Sequence, residues 1–189
     1  LGDVYKRQLL HPNFNEESLK QATVVSKMGL PASPGAATGK VVFSAEEAKL
    51  QAENGNKVVL MRPETSPEDI EGMVASEAIV TTHGGMTSHA AVVARGMGKC
   101  CVTGCSNVEI DTVNKTVYYP EGELHEGDIV SVDGSAGDLY LGAIETVNAE
   151  HSEEFDQFMT WSEEIARLQV RMNAETPQDI KAGYDFGSK

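Results

Sequence analysis

Short apolar runs rich in Val and Ile recur along the first half of the chain. "GKVVF" (39–43), "KVVLMR" (57–62) and "AIVTT" (78–82) read as strands, because β-branched residues suit a pleated, half-buried surface. Between them lie two segments that begin like helices. "SAEEAKLQAENG" opens on Ser44 and closes near Gly55, and "SPEDIEGMVASEA" has Ser66 as N-cap with Pro67 in the first helical position. The alternation predicts an α/β unit from about Ala36 to Gly104. Beyond it "CCVTG", "TVYYP", "DIVSVDG" and "DLYLGAI" read as short strands between turns, as far as about Ile144.

The flanks look different. "NEESLKQATVVSKM" (15–28) predicts a short helix capped by Asn15, and the prolines and glycines of "GLPASPGAATGK" predict a loop. From Ser152 a second helical rhythm begins, carried by Phe155, Phe158, Met159, Ile165, Leu168 and Met172, with Arg167 and Arg171 late where they suit the helix dipole. It reads as a connecting or packing helix. The expected organisation is one compact α/β domain with a β-rich half, spanning 29–150, between segments 1–28 and 151–189.

Charge narrows the function classes. The 189 residues carry a formal charge of −14. That argues against nonspecific binding to nucleic acid, which relies on Lys and Arg neutralising phosphates. No apolar run approaches the roughly 18 residues of a membrane helix, and "LGDVYKRQLLHP" lacks the apolar core of a secretory signal. Cys100, Cys101 and Cys105 are odd in number and clustered, which points to free thiols and a reducing cytoplasm.

The chemistry concentrates in "THGGMTSHAAVVARGMG" (82–98). Gly84 and Gly85 permit a tight turn after the strand, Thr87 or Ser88 can cap a helix, and His89 falls in its first turn, with Gly96 as a plausible stop. Free N–H groups and the positive dipole end at a helix start attract an anion, and a phosphoryl group is the obvious one. An imidazole there could gain and lose a phosphoryl group. On this pattern alone a histidine merely satisfied within a helix cap remains an open alternative. Arg95, six positions on, sits off the His89 face and better suits the C-terminal dipole or a domain contact.

Rival motifs fall short. "GAATGK" is one residue short of a Walker loop and is followed by Val41 instead of Ser or Thr, and "GMGKCC" lacks the last glycine of a dinucleotide fingerprint. A metal held by His83, His89 and the cysteines is disfavoured, because Cys100 and Cys101 should point to opposite faces of a strand. No metal site is therefore expected. His11, His125 and His151 have no supporting context.

"GGMTSHAAVVARGMGKCC" closely resembles the phosphohistidine segment of the pyruvate, phosphate dikinases, members of the phosphoenolpyruvate (PEP)-utilising enzyme family. PEP synthases and enzyme I of the sugar phosphotransferase system carry similar segments. The resemblance runs from about Leu9 through "LPASPGAATGKVVF" and "DGSAGDLYLG" to "NAETPQD", whereas "LGDVYKR" does not share it. It implies a compact, swivelling phosphohistidine β/β/α domain at 29–150, with linkers on both sides and the start of a PEP/pyruvate barrel domain near the end of the chain. It implies that His89 is a tele-phosphohistidine intermediate, that Gly84, Gly85 and Ser88 support it, and that Thr87 is the target of a regulatory kinase or phosphorylase. The partners it implies are an ATP-grasp nucleotide domain and the barrel domain of the same cytoplasmic enzyme, which would bind Mg2+ and interconvert ATP, phosphate and pyruvate with AMP, diphosphate and phosphoenolpyruvate. The chain would then be a fragment, inactive alone. A PEP synthase-type domain and a stand-alone, non-catalytic carrier module are the alternatives.

Overall fold

The computed structural model describes residues 11–147, together with residues 157, 160–162, 164 and 165. The chain divides into two units, residues 1–150 and 151–189. In the second unit the described residues are helical. Most of the rhythm that predicts this helix, including Phe155, Phe158, Met159, Arg167, Leu168, Arg171 and Met172, lies outside the described residues.

In the first unit eight strands form one mixed sheet. Their order is β2 (Val24–Ser26), β12 (Asp138–Leu141), β11 (Ile129–Asp133), β4 (Ala36–Val42), β5 (Val58–Arg62), β6 (Ala78–Thr81), β7 (Cys100–Thr103) and β3 (Leu30–Ser33). Strands β4 to β7 are parallel neighbours. Parallel neighbours need crossover connections. These are α2 (Ala45–Glu53), a 3-10 turn at Pro67–Asp69 leading into α3 (Ile70–Ala75), and α4 (His89–Met97). Ser44 caps α2 through the Glu47 amide at 3.1 Å, as its position in the sequence predicts.

Side-chain alternation along these strands builds two cores. Val59, Met61, Val80, Cys100 and Val102 face one way, and Val58, Leu60, Ile79 and Cys101 face the other. The first set packs against a three-stranded meander of β8 (Glu109–Asp111), β9 (Thr116–Tyr119) and β10 (Gly122–His125), which contributes Ile110, Val117 and Leu124. The second packs against Ala48, Met73, Ala90, Ala91 and Ala94 of the helices. The layers are small sheet, large sheet and helices, the β/β/α arrangement expected from the sequence. A third cluster joins Phe14, Ala36, Tyr140 and Ile144 beside α1 (Glu16–Gln21). There β1 (Asn13–Phe14) pairs antiparallel with β13 (Thr146–Val147).

The large sheet curls strongly. Residues 27–29 alone separate β2 from β3, although these are the two edge strands. In a flat sheet the edges would lie seven spacings apart, roughly 34 Å. Four Cα steps reach only about 15 Å. Gly29 and Gly134 sit where the sheet folds back on itself. A Cβ on Gly29 would lie 2.2 Å from a Val102 methyl, and one on Gly134 would lie 2.1 Å from the Ser33 carbonyl oxygen.

Three expectations are corrected. The helix capped by Asn15 ends at Gln21, because Ala22 is already extended and Val24–Ser26 pair with β12. The β-branched run Thr23–Val25 favours that outcome. "LPAS" is a strand instead of a loop, since an edge position tolerates the missing N–H of Pro31. The helix after His89 passes Gly96 and stops at Gly98, whose φ of 66° closes it.

Candidate functional site

Strand β6 ends at Thr81 and α4 begins at His89. The seven residues between them turn tightly. Gly84 has a φ of 94°, and a Cβ there would approach the Ser88 Cβ to 2.8 Å, so only glycine fits without strain. The Ser88 amide donates to the Gly85 carbonyl at 3.0 Å. Ser88, not Thr87, is the N-cap, and its Oγ accepts from the Ala91 amide at 3.4 Å. Thr87 is left exposed. Met86 is also exposed, and its carbonyl accepts from the Arg95 guanidinium. Arg95 thus ties the loop before α4 to the last turn of the same helix, a local role the sequence does not reveal.

His89 is half-buried at the helix start, where the first N–H groups have no partner within the helix. Its ring meets a second loop. The Thr65 hydroxyl lies 3.0 Å from His89 Nδ1. Thr65 belongs to the segment after β5, and register brings it there. Arg62 pairs with Thr81 at the ends of β5 and β6. The two loops then continue the ladder, with the His83 amide donating to the Pro63 carbonyl at 2.8 Å. The site therefore stands at the C-terminal ends of adjacent parallel strands, where open α/β sheets bind ligands. Thr65 is 24 residues before His89, and nothing in the local sequence marks it as a site residue.

Glu64, Thr65, His83, Gly84, Ser88 and His89 line a cavity of ≈ 240 Å³ beside the helix start. His83 is exposed, with Nδ1 3.4 Å from the Thr82 hydroxyl. Gly85 is half-buried and its neighbourhood is open, with nothing within 4 Å of a built Cβ.

The other sequence candidates fall elsewhere. Cys100, Cys101 and Cys105 are free and buried. Cys100 faces the small sheet and Cys101 the helices, as adjacent strand residues should. Burial pushes the Cys101 and Cys105 thiols up to about 12, and Cys100 rises further for the same reason. "GAATGK" lies mostly within β4, where an extended strand cannot cradle phosphates. The His125 ring lies 3.4 Å from a Glu123 carboxylate on the exposed small sheet, and His151 is outside the described residues.

Residues 54–137 match the family model described as "PEP-utilising enzyme, mobile domain". Over that stretch the chain is similar to the PEP-utilising enzymes. The matched stretch runs from β5 to the turn after β11, so it contains both site loops and α4. Over 96% of its length the chain is 52% identical to the pyruvate, phosphate dikinase of Clostridium symbiosum, of which it covers 21%. It is 48% identical to the chloroplastic pyruvate, phosphate dikinase 1 of Arabidopsis thaliana and 47% identical to the pyruvate, phosphate dikinase of Rhizobium meliloti (strain 1021), again over 96% of this chain. The chain spans about a fifth of the length of these curated relatives.

Proposed function

We propose that the mobile domain carries a phosphoryl group on Nε2 of His89, as the relay of a pyruvate, phosphate dikinase. The observation that carries this reading is the Thr65 contact. The Thr65 hydroxyl lies 3.0 Å from Nδ1 and can accept from an Nδ1–H, and in that tautomer the lone pair of the ring sits on Nε2. That atom can attack a phosphorus centre, forming a P–N bond as the bond to the leaving oxygen breaks. The amides at the start of α4 favour the incoming negative charge. Gly84 and Gly85 keep the approach open, and Ser88 fixes the first turn. In the second half of the cycle the phosphoryl group passes to its acceptor and Nε2 regains its lone pair.

The names of the relatives support the dikinase reaction, which converts ATP, phosphate and pyruvate to AMP, diphosphate and phosphoenolpyruvate. The partners in this reading are an ATP-grasp nucleotide domain and a PEP/pyruvate barrel domain of the same enzyme. The domain, with β1, α1 and β2 packed on it, swivels between them on its flanking segments. Thr87 is the regulatory residue, exposed two positions before His89. Mg2+ belongs to the partner domains. Among the described residues no group of three or more His, Cys, Asp or Glu could hold a metal ion. Among those residues no helix is long and apolar enough to cross a membrane, and the buried free thiols suit the reducing cytoplasm assigned by this reading.

The test uses this chain with separately prepared nucleotide and barrel domains. An acid-labile phosphoryl group should form on the wild-type chain from either side, and His89→Ala should abolish both half-reactions while circular dichroism stays native. Acid-labile phosphate on the folded His89→Ala chain would refute the assignment.

A further inference from the structure

We propose that Asp69 is a positioning residue for His89, acting through Thr65. The inference rests on the carrier reading for its purpose, but its geometry is independent of it. Asp69 is a carboxylate only 6% exposed. Its Oδ2 accepts from the Ser66 amide at 2.9 Å and from the Ser66 hydroxyl at 3.2 Å. Its Oδ1 lies 3.6 Å from Nη2 of Arg62. Arg62 is held a second time, because its Nη1 donates to the Phe43 carbonyl at 3.2 Å.

One carboxylate therefore clamps both ends of the segment 62–66. Thr65 lies inside that segment and offers its hydroxyl to His89. A capping box alone would explain the two Ser66 bonds. It would not explain why the carboxylate is buried against the Arg62 guanidinium, at the residue where β5 ends. Hydrogen bonds lose strength steeply with misalignment, so a small drift of the 62–66 backbone breaks the 3.0 Å contact to Nδ1. Without it the imidazole loses the side-chain hydrogen bond that holds its ring at the start of α4. The clamp thus fixes the orientation of a ring that Asp69 never touches.

The readout is the pair of His89 ring-nitrogen shifts in the 15N-labelled chain, which respond to the Thr65 hydrogen bond. Long-range proton–nitrogen correlation is recorded at about pH 8.5, above the ordinary imidazole range. Thr65→Val sets the value for a lost contact. Asp69→Ala should move the His89 ring nitrogens to about the Thr65→Val position. Asp69→Asn keeps an acceptor for the Ser66 amide but not the charge facing Arg62, and should fall between. Glu71→Gln, which breaks the exposed 2.8 Å pair between α3 and Lys49 of α2, should leave the ring unmoved. A folded Asp69→Ala chain with wild-type ring nitrogens overturns the proposal. If that variant does not fold, Asp69→Asn decides, and an unmoved ring again overturns it. Failure of the carrier reading would appear separately, as no acid-labile phosphate on the wild-type chain whatever the ring shifts show.

Discussion

Two helical glycines meet opposite surroundings, so the same substitution should have opposite effects. A Cβ on Gly72 of α3 would lie 2.3 Å from the Ala45 Cα, 2.6 Å from its Cβ and 2.9 Å from its carbonyl oxygen. These are largely backbone atoms at the start of α2 and cannot rotate away. Relief requires α3 to retreat from α2 by about 1 Å, loosening Ala48 and Met73, both fully buried. Overpacking of this kind costs about 1–3 kcal/mol, against a gain of up to about 1 kcal/mol from replacing glycine in a helix. Gly72→Ala should therefore destabilise by about 1–2 kcal/mol. Gly96 of α4 has nothing within 4 Å of a built Cβ. Gly96→Ala should stabilise by about 0.5–1 kcal/mol. At about 2–4 °C per kcal/mol for a domain of this size, the melting temperatures should move apart by several degrees. Urea titration followed by circular dichroism measures both. Fluorescence of the single tryptophan, Trp161, would report on the other unit. Shifts of the same sign would refute the close-approach argument.

Two further predictions concern the thiols and Thr87. Burial raises the folded pKa of Cys100, Cys101 and Cys105, so their contribution is complete below the unfolded thiol range and is lost as pH rises towards the folded values. Between about pH 9 and 11 each thiol should remove about 1.4 kcal/mol per pH unit, and Cys105→Ala should flatten the slope of unfolding free energy against pH by that amount. Equal slopes would contradict it. Phosphorylation of Thr87 adds about −1.5 to −2 charge beside the start of α4 and would repel an incoming phosphoryl donor. Thr87→Glu should lose nearly all His89 phosphorylation while Thr87→Val keeps a substantial part, and equal labelling of the two would remove the electrostatic argument.

Most of the parallel core was legible because β4, β5 and β6 carry short Val-, Leu- or Ile-containing runs, each followed by a helix-start signal. Ser44, Ser66 and Pro67 announce α2 and the turn before α3 directly. The start of α4 was legible for the same reason, since Gly84, Gly85 and Ser88 are residues with few other uses in that order. The small sheet was only partly visible. Its strands β8 and β10 are mostly polar, with Ile110 and Leu124 as their only buried residues, too little for a periodic signal. Thr65 and Asp69 were not legible as site residues. Their link to His89 runs through the register of β5 and β6, which a single chain read in order does not display.

The pairing of Asn13 with Val147 and Phe14 with Thr146 has a mechanical consequence. Chain entry and exit lie side by side and antiparallel, so tension applied at the two ends pulls across the ribbon and opens it one rung at a time. The next rungs, between Val24 and Tyr140 and between Ser26 and Leu139, are loaded in the same way. Peeling never asks many hydrogen bonds to fail together, unlike shear along a strand. A domain with a well-filled interior should therefore yield at low force in a single-molecule pull from its ends, and hold longer when the handles are moved to β5 and β7.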